Sequence, residues 1–359
     1  MSVSISVRRG VEFSMKQHDV MGRVMWWVAA GVAVGLSGCG YYSNDDLVFL
    51  AAVPKKSEVA MEVEGSGGPA QALRRADALG ETAEFYGHIV ATATNVNTGV
   101  GAILDMVDSL GKGYAPTTRT ETSRIWGPIA NVDGKGFGLR LEIQRNEADD
   151  GAPHFVFCLH FGRTSEITGD GPSCEDQEKG GFHRVFFGSY DPRAVEAGAR
   201  SGSGEITIDF EASQKAGTAK PDEHGRLHFT YDFSKGGEAK KVELDWLTPA
   251  AVVGKDEIGV YRYERTLDDD IDFFVQYYEN WADLPGAARE VHSIDSCWNE
   301  SGPGRATVLI EEGDIPMGEN ANATECWNGQ KQRTYIEFEY TPDPANQFSA
   351  GDVAACPDC

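Results

Sequence analysis

From Ile125 to Tyr340 the chain alternates apolar and polar residues with a period of two, and glycine-rich turns cut the alternation into short runs. This pattern constrains the fold more than any other feature, because only a strand turns successive side chains to opposite faces. Phe155, Phe157, Leu159 and Phe161 share one face of such a run, and Ile206, Ile208 and Phe210 share one face of another. Phe137–Ile143, Phe182–Tyr190, Leu227–Phe233, Lys241–Leu247, Gly259–Thr266, Asp272–Tyr278, Ala306–Glu311 and Thr334–Tyr340 continue the series. Gly134, Gly169-Asp170-Gly171-Pro172, Gly202, Gly225, Gly236-Gly237 and Gly302-Pro303-Gly304 punctuate it. About ten to twelve short strands with no helix between them predict an antiparallel meander. Such a sheet must curl, close or stack to hide its edges. The expected class is therefore β-rich α+β, with a curved antiparallel sheet, half-barrel or sandwich over residues 114–345.

Ahead of the strands lies one region with a helical period. Leu79, Ala83, Tyr86, Val90, Ala93, Val96, Val100, Ile103, Val107 and Leu110 recur at steps of three and four. Pro69 suits a first helical turn, and Gly111-Lys112-Gly113 with Pro116 beyond it makes a stop. The expected helical segment is 69–113, as one helix or as two broken near Asn95–Gly99, packed on the sheet. Residues 39–68 read as a tether: Tyr41–Asp46 is polar, Leu47–Val53 forms a short docking segment, and Glu64–Pro69 breaks regular structure. Residues 346–359 read as a C-terminal tail that ends in a cysteine pair.

The N-terminus carries an address. Arg8, Arg9, Lys16 and Arg23 precede an apolar run, Val24 to Leu36, which falls short of the roughly 20 residues a spanning helix needs. Met15 and Met21 are alternative starts. The run closes on Leu36-Ser37-Gly38-Cys39, which resembles the lipobox of bacterial lipoprotein precursors. The resemblance covers residues 1–40 alone; the body resembles no family by its motifs. It implies that 1–38 is a signal peptide, that Cys39 becomes the first mature residue, and that its thiol carries a diacylglyceryl group. Two or three acyl chains hold a protein stably on a membrane, whereas one does so only marginally. Gly40 stands where an Asp would retain an enteric lipoprotein in the inner membrane, so the resemblance points to the outer membrane, facing the periplasm or the surface.

Seven cysteines occur, and an even set remains beside Cys39: Cys158, Cys174, Cys297, Cys326, Cys356 and Cys359. In an exported chain these read as disulfides. Proximity favours Cys158–Cys174 and Cys297–Cys326, each worth about 3 kcal/mol in the loop-entropy model. The tripeptide Cys-Trp-Asn recurs at 297–299 and 326–328, as though at the two ends of one stapled hairpin.

The chain carries 32 basic and 56 acidic residues; without the signal, which removes four basic and two acidic ones, its formal charge moves from −24 to −26. Such a body repels nucleic acid and anionic lipid, which excludes both as partners for its bulk. Acidity of this kind serves solubility, with divalent cation binding as the sharper alternative.

No catalytic motif stands out. Cys356-Pro-Asp-Cys359 has dithiol spacing but follows no βαβ unit, so a local disulfide or pairing to other cysteines is expected. Asp268-Asp269-Asp270 with Asp272 is acidic, yet Phe273 stands where a calcium loop needs glycine. His154, Cys158 and His160 share a strand face, as do His224 and His228, but no second cysteine pair completes a zinc site. Ser203, in Ser201-Gly202-Ser203-Gly204, lacks the first glycine of a nucleophile elbow. Trp126, Phe182, Phe186, Phe187, Tyr261, Tyr263, Phe273, Phe274, Tyr277, Tyr278 and Trp281 belong to a core or line an apolar cavity. The reading is a non-enzymatic envelope lipoprotein with a binding or assembly role, no cofactor, and an envelope protein as partner. The alternatives are a carrier of a lipid or other apolar ligand in a β cavity, and a secreted hydrolase with an unrecognised site.

Overall fold

The computed structural model describes residues 42–63, 79–132, 136–148, 151–169, 171–193, 199–219, 224–248, 256–266, 271–281, 288–299, 302–343, 345 and 347–358. The signal run, Cys39, the Glu64–Pro69 break, Asp268–Asp270 and Cys359 lie outside the described residues. The chain divides into two compact units, one drawn from Asp19–Met61 and Asn95–Asp256, the other from Glu62–Thr94 and Glu257–Cys359. They are called here the 95–256 unit and the 257–359 unit.

The 95–256 unit is built on β1 (Thr118–Arg119), β2 (Ser123–Val132), β3 (Phe137–Glu147), β4 (Pro153–Arg163), β5 (Glu178–Lys179), β6 (Phe182–Pro192), β7 (Gly202–Asp209), β8 (Arg226–Ser234) and β9 (Ala239–Thr248). They pair antiparallel in the order β1-β2-β3-β4-β6-β7-β8-β9, with β5 on β6. The inward side chains are apolar and packed ring on ring: Phe157 stacks on Phe186 at 5.6 Å, and Tyr190 on Phe233 at 6.2 Å. In the 257–359 unit, β10 (Glu257–Arg265), β11 (Ile271–Trp281), β12 (Glu290–Asn299), β13 (Gly304–Glu312), β14 (Ala321–Trp327), β15 (Arg333–Tyr340) and β16 (Phe348–Gly351) pair antiparallel in chain order. The sheet is open rather than closed.

The meander agrees with expectation, but sixteen strands are described rather than ten to twelve. Two of the additions, β1 and β5, are too short to show a period. Others hide for a chemical reason: β12 turns Glu290, His292 and Ser296 inward, and β14 turns Ala321, Ala323 and Glu325 inward. An apolar period cannot reveal a strand whose buried face is polar or small.

A short helix also interrupts the strands. Phe210, expected on a strand face, instead opens the helix Phe210–Ala216, because the Asp209 side chain accepts from Ala212 N at 2.8 Å. Gly217 ends it at φ 78°, a backbone region that costs glycine nothing.

Of the expected tether, residues 42–61 are described within the 95–256 unit, and the expected docking segment Leu47–Val53 is there in part helical. Residues Asn44–Leu50 form α1 and Lys56–Val59 form α2, with Phe49 at 0%, Val59 at 3% and Met61 at 1% exposure. The long helix α3 runs from Glu84 to Gly113 without a break at Asn95–Gly99. Residues 69–78 of the expected segment lie outside the described residues, and 79–83 precede the helix: Leu79 is 48% exposed, and Gly80, Glu81 and Ala83 trade backbone hydrogen bonds with Lys331 and Arg333. Its stripe is buried from Phe85 to Leu110. The C-terminal tail is likewise structured, since Phe348–Gly351 is the last strand of its ladder.

Cys158 bonds Cys174 across a Cα separation of 5.4 Å, as proximity predicts. The second proposed pairing is wrong: Cys326 bonds Cys356, at 5.3 Å, and Cys297 is disulfide-bonded to neither. The reason is topological. Cys297 lies opposite Arg305, and Arg305 lies opposite Cys326, so β13 stands between the two cysteines. Two strand spacings, about 9.5 Å, exceed what a disulfide spans.

Candidate functional site

The only residue whose role the sequence singles out, Cys39, precedes the described chain by three positions. The junction that follows it is built into the 95–256 unit. The Tyr42 hydroxyl donates to the Tyr114 carbonyl. Ser43 caps α1 in a reciprocal box with Asp46, its Oγ accepting from Asp46 N at 3.1 Å and its own N donating to Asp46 Oδ2 at 2.9 Å. The Asp46 side chain is fully buried and receives Arg124 Nε at 2.7 Å and Arg119 Nε at 3.1 Å. Burial pushes the Asp46 carboxyl up, but the Ser43 amide and the two guanidiniums outweigh it and hold the group below the usual carboxylate range. Arg124 also pairs with Asp45 and lies 4.4 Å over the Phe49 ring. Phe49 meets Phe155 edge-on at 5.9 Å. At the other end of α3, a Cβ on Gly111 would come within 2.3 Å of Leu50, so the small residue is what lets Leu50 seat.

The second cluster lies in the 257–359 unit, beneath the first turns of α3. No Ser, Thr, Asp or Asn immediately precedes Glu84 to cap this helix. Glu325 of β14 does so across the fold, its oxygens accepting from Glu84 N at 2.9 Å and Phe85 N at 2.6 Å. Arg333 donates to the same carboxylate at 2.5 Å and stands 3.7 Å from Glu84. Burial pushes Glu84 up to about 8, and the neighbouring Glu325 charge adds to the shift against Arg333. One cation thus serves two buried carboxyls, and at neutral pH Glu84 holds the proton. Deeper in the same interior, Gln276 donates to His88 Nε2 at 2.9 Å, and His292 Nε2 meets Glu290 at 3.0 Å. Burial lowers His88 to about 4, so it is neutral.

These groups are engaged in the fold's own hydrogen bonds. Both Glu325 oxygens are occupied, and Ser296 gives its proton to the Phe274 carbonyl at 2.8 Å rather than to His292. A serine nucleophile needs a base at its hydroxyl. Glu84 is the strained member, with Oε1 buried and without a hydrogen-bond partner. A raised acid pKa contributes stability below the unfolded value near 4.5 that is lost as pH rises toward 8. Replacing Glu84→Gln should remove that loss. Urea unfolding should show the variant gaining on the natural protein by about 4 kcal/mol between pH 5 and pH 8.5. An equal difference at both pH values would refute the assignment.

A third cluster covers the outward face of β3 and β4. Arg140 pairs with Glu142 at 2.8 Å, both buried, and His160 Nε2 bonds the Asp176 carbonyl at 3.0 Å. Arg184 donates to the Cys174 carbonyl. Burial lowers His160 to about 4. Ligand atoms of Glu142, Cys158 and Cys174 lie within 4.8 Å of one another, but both sulfurs are in the disulfide and offer no thiolate to a metal. The cluster fastens the 164–181 loop to the sheet.

The remaining sequence candidates are dispersed. His154 bonds Asp191 at 2.6 Å while His160 turns to Asp176, so the shared face of β4 does not converge on one ion. His228 meets Thr207 at 3.1 Å and His224 meets Gln214 at 3.3 Å. Asp272 faces Arg265 at 3.8 Å, and Ser203 lies within β7 opposite Asp191 and Asp232. Trp126, Phe182, Phe186, Tyr263 and Phe274 are at 0% exposure, while Phe273 is exposed. Sequence reasoning missed Asp46, Glu84, Glu325 and Arg333, because charged residues in an acidic chain give no sign of burial before the fold is known. Comparison with known proteins finds no family model, no curated protein and no solved structure that matches this chain.

Proposed function

We propose that this chain is the precursor of a lipid-anchored lipoprotein of the bacterial outer membrane, with a body that binds or assembles rather than catalyses. The observation that carries the reading is Leu36-Ser37-Gly38-Cys39, which closes a short apolar run led by basic residues. An anchor so placed loads the fold through α1, and α1 is fastened by Asp46, Arg119 and Arg124. Disulfides Cys158–Cys174 and Cys326–Cys356 suit a chain that matures in an oxidising compartment. The outer membrane is preferred because Gly40, not Asp, follows Cys39.

Binding or assembly is preferred to carriage of an apolar cargo because the inward aromatics of the 95–256 unit fill space against one another. It is preferred to hydrolysis because Glu325 and His88 are buried and committed to hydrogen bonds, and Ser296 gives its proton to the Phe274 carbonyl. Cys39→Ala should abolish fatty-acid labelling and move the protein from the membrane to the soluble fraction. Undiminished labelling of that variant would overturn the reading.

A further inference from the structure

We propose that the face made by Leu47, Val48 and Ala51 of α1, with Lys55 and Lys56 beyond it, lies against the lipid surface that holds the anchor. The body then sits on the membrane in one orientation instead of swinging from its lipid. The proposal rests on the anchor reading above and adds which surface meets the bilayer.

Leu47 is 54% and Val48 48% exposed, and Ala51, one turn on, is exposed beside them. The opposite side of the same helix is locked inward by Asp46 and Phe49, so the apolar pair cannot turn in to bury itself. Chain length then decides what the pair meets. Three Cα steps of about 3.8 Å separate Cys39 from Tyr42, so the lipidated residue stays within roughly 11 Å of it. Five residues of chain, mostly helical at about 1.5 Å each, carry it on to Leu47. The exposed pair is therefore within about 20 Å of the acylated sulfur, while interfacial side chains sink some 5–10 Å into the head-group region.

Charge selects the same face. The whole chain has 56 acidic against 32 basic residues, so most of its surface is repelled by anionic head groups. Around α1 the carboxylates have cations: Asp45 and Asp46 have Arg124, Asp105 stands 4.0 Å from Lys56, and Asp108 stands 2.5 Å from Lys112. Exposed aliphatics followed along the chain by exposed lysines are the composition of a membrane-lying surface.

The test uses the full lipidated chain, reconstituted in vesicles of phosphatidylethanolamine and phosphatidylglycerol with brominated acyl chains. Val48→Trp is compared with Leu247→Trp, whose position in the same unit is also exposed, at the other end of its strands. The added emission of Val48→Trp should fall roughly twofold on brominated relative to plain vesicles, with bromine in contact range of a side chain sunk in the interface. That of Leu247→Trp should not change. Equal quenching of the two would overturn the orientation while leaving the anchor intact. Failure of the protein to float with the vesicles, or a mass showing no acyl chain on Cys39, would overturn the anchor reading and this proposal with it.

Discussion

Arg333→Met should cost about 3–5 kcal/mol of unfolding free energy at pH 7, the usual result of stripping the partner from a buried charge. Arg333 is 3% exposed and Glu325 0%, and their contact is 2.5 Å. Without the guanidinium, Glu325 keeps only the two amides at the start of α3, and Glu84 loses its one cation. Burial already raises Glu325, and losing Arg333 raises it further. The sign with pH follows: an acid raised in the fold stabilises below its unfolded value and loses that contribution as pH rises. The deficit of the variant should thus be smaller at pH 5 than at pH 8. Urea unfolding followed by far-ultraviolet dichroism would measure both. A loss below about 1 kcal/mol would mean that the cap does not depend on the cation.

Asp46→Ala should cost about 2–4 kcal/mol, combining a lost helix cap with a guanidinium left short of partners in a buried place. Arg124 is 6% exposed on its side chain, and Asp46 is its fully buried partner. The Asp46 carboxyl is held below its ordinary value, so its contribution is present above the unfolded pKa near 3.8 and is lost as pH falls through the folded one. The difference between the natural protein and the variant should accordingly shrink below about pH 4. The structural consequence is more telling than the energy. With α1 unfastened, residues 42–63 should loosen, and limited proteolysis should cut there. Resistance to cleavage equal to that of the natural protein would show that Phe49 and Tyr42 hold the junction without Asp46.

The errors of the sequence reading share one cause. Alternation located most strands because the inner faces of β3, β4, β6, β7 and β8 are apolar. It lost β12 and β14, where Glu290, His292 and Glu325 face inward, and it read Tyr41–Asp46 as plain polar chain because Asp45 and Asp46 look like solvated charge. A carboxylate declares itself buried only when the arginine that neutralises it is seen beside it. Arg124 is 78 positions from Asp46, and Glu325 is 241 from the amide it caps.

What the sequence determined by itself is local. Period-two runs with glycine turns made an antiparallel meander, three- and four-residue spacing made the α3 region helical, and a separation of 16 residues brought Cys158 to Cys174. Tertiary structure alone decided where α3 begins, that Cys326 meets Cys356 across 30 residues instead of Cys297 across β13, and that Asp46 is buried between two arginines. Backbone periodicity is set by neighbours along the chain, whereas the burial of a charge, the cap of a helix and the reach of a disulfide depend on which distant strands the ladder places side by side.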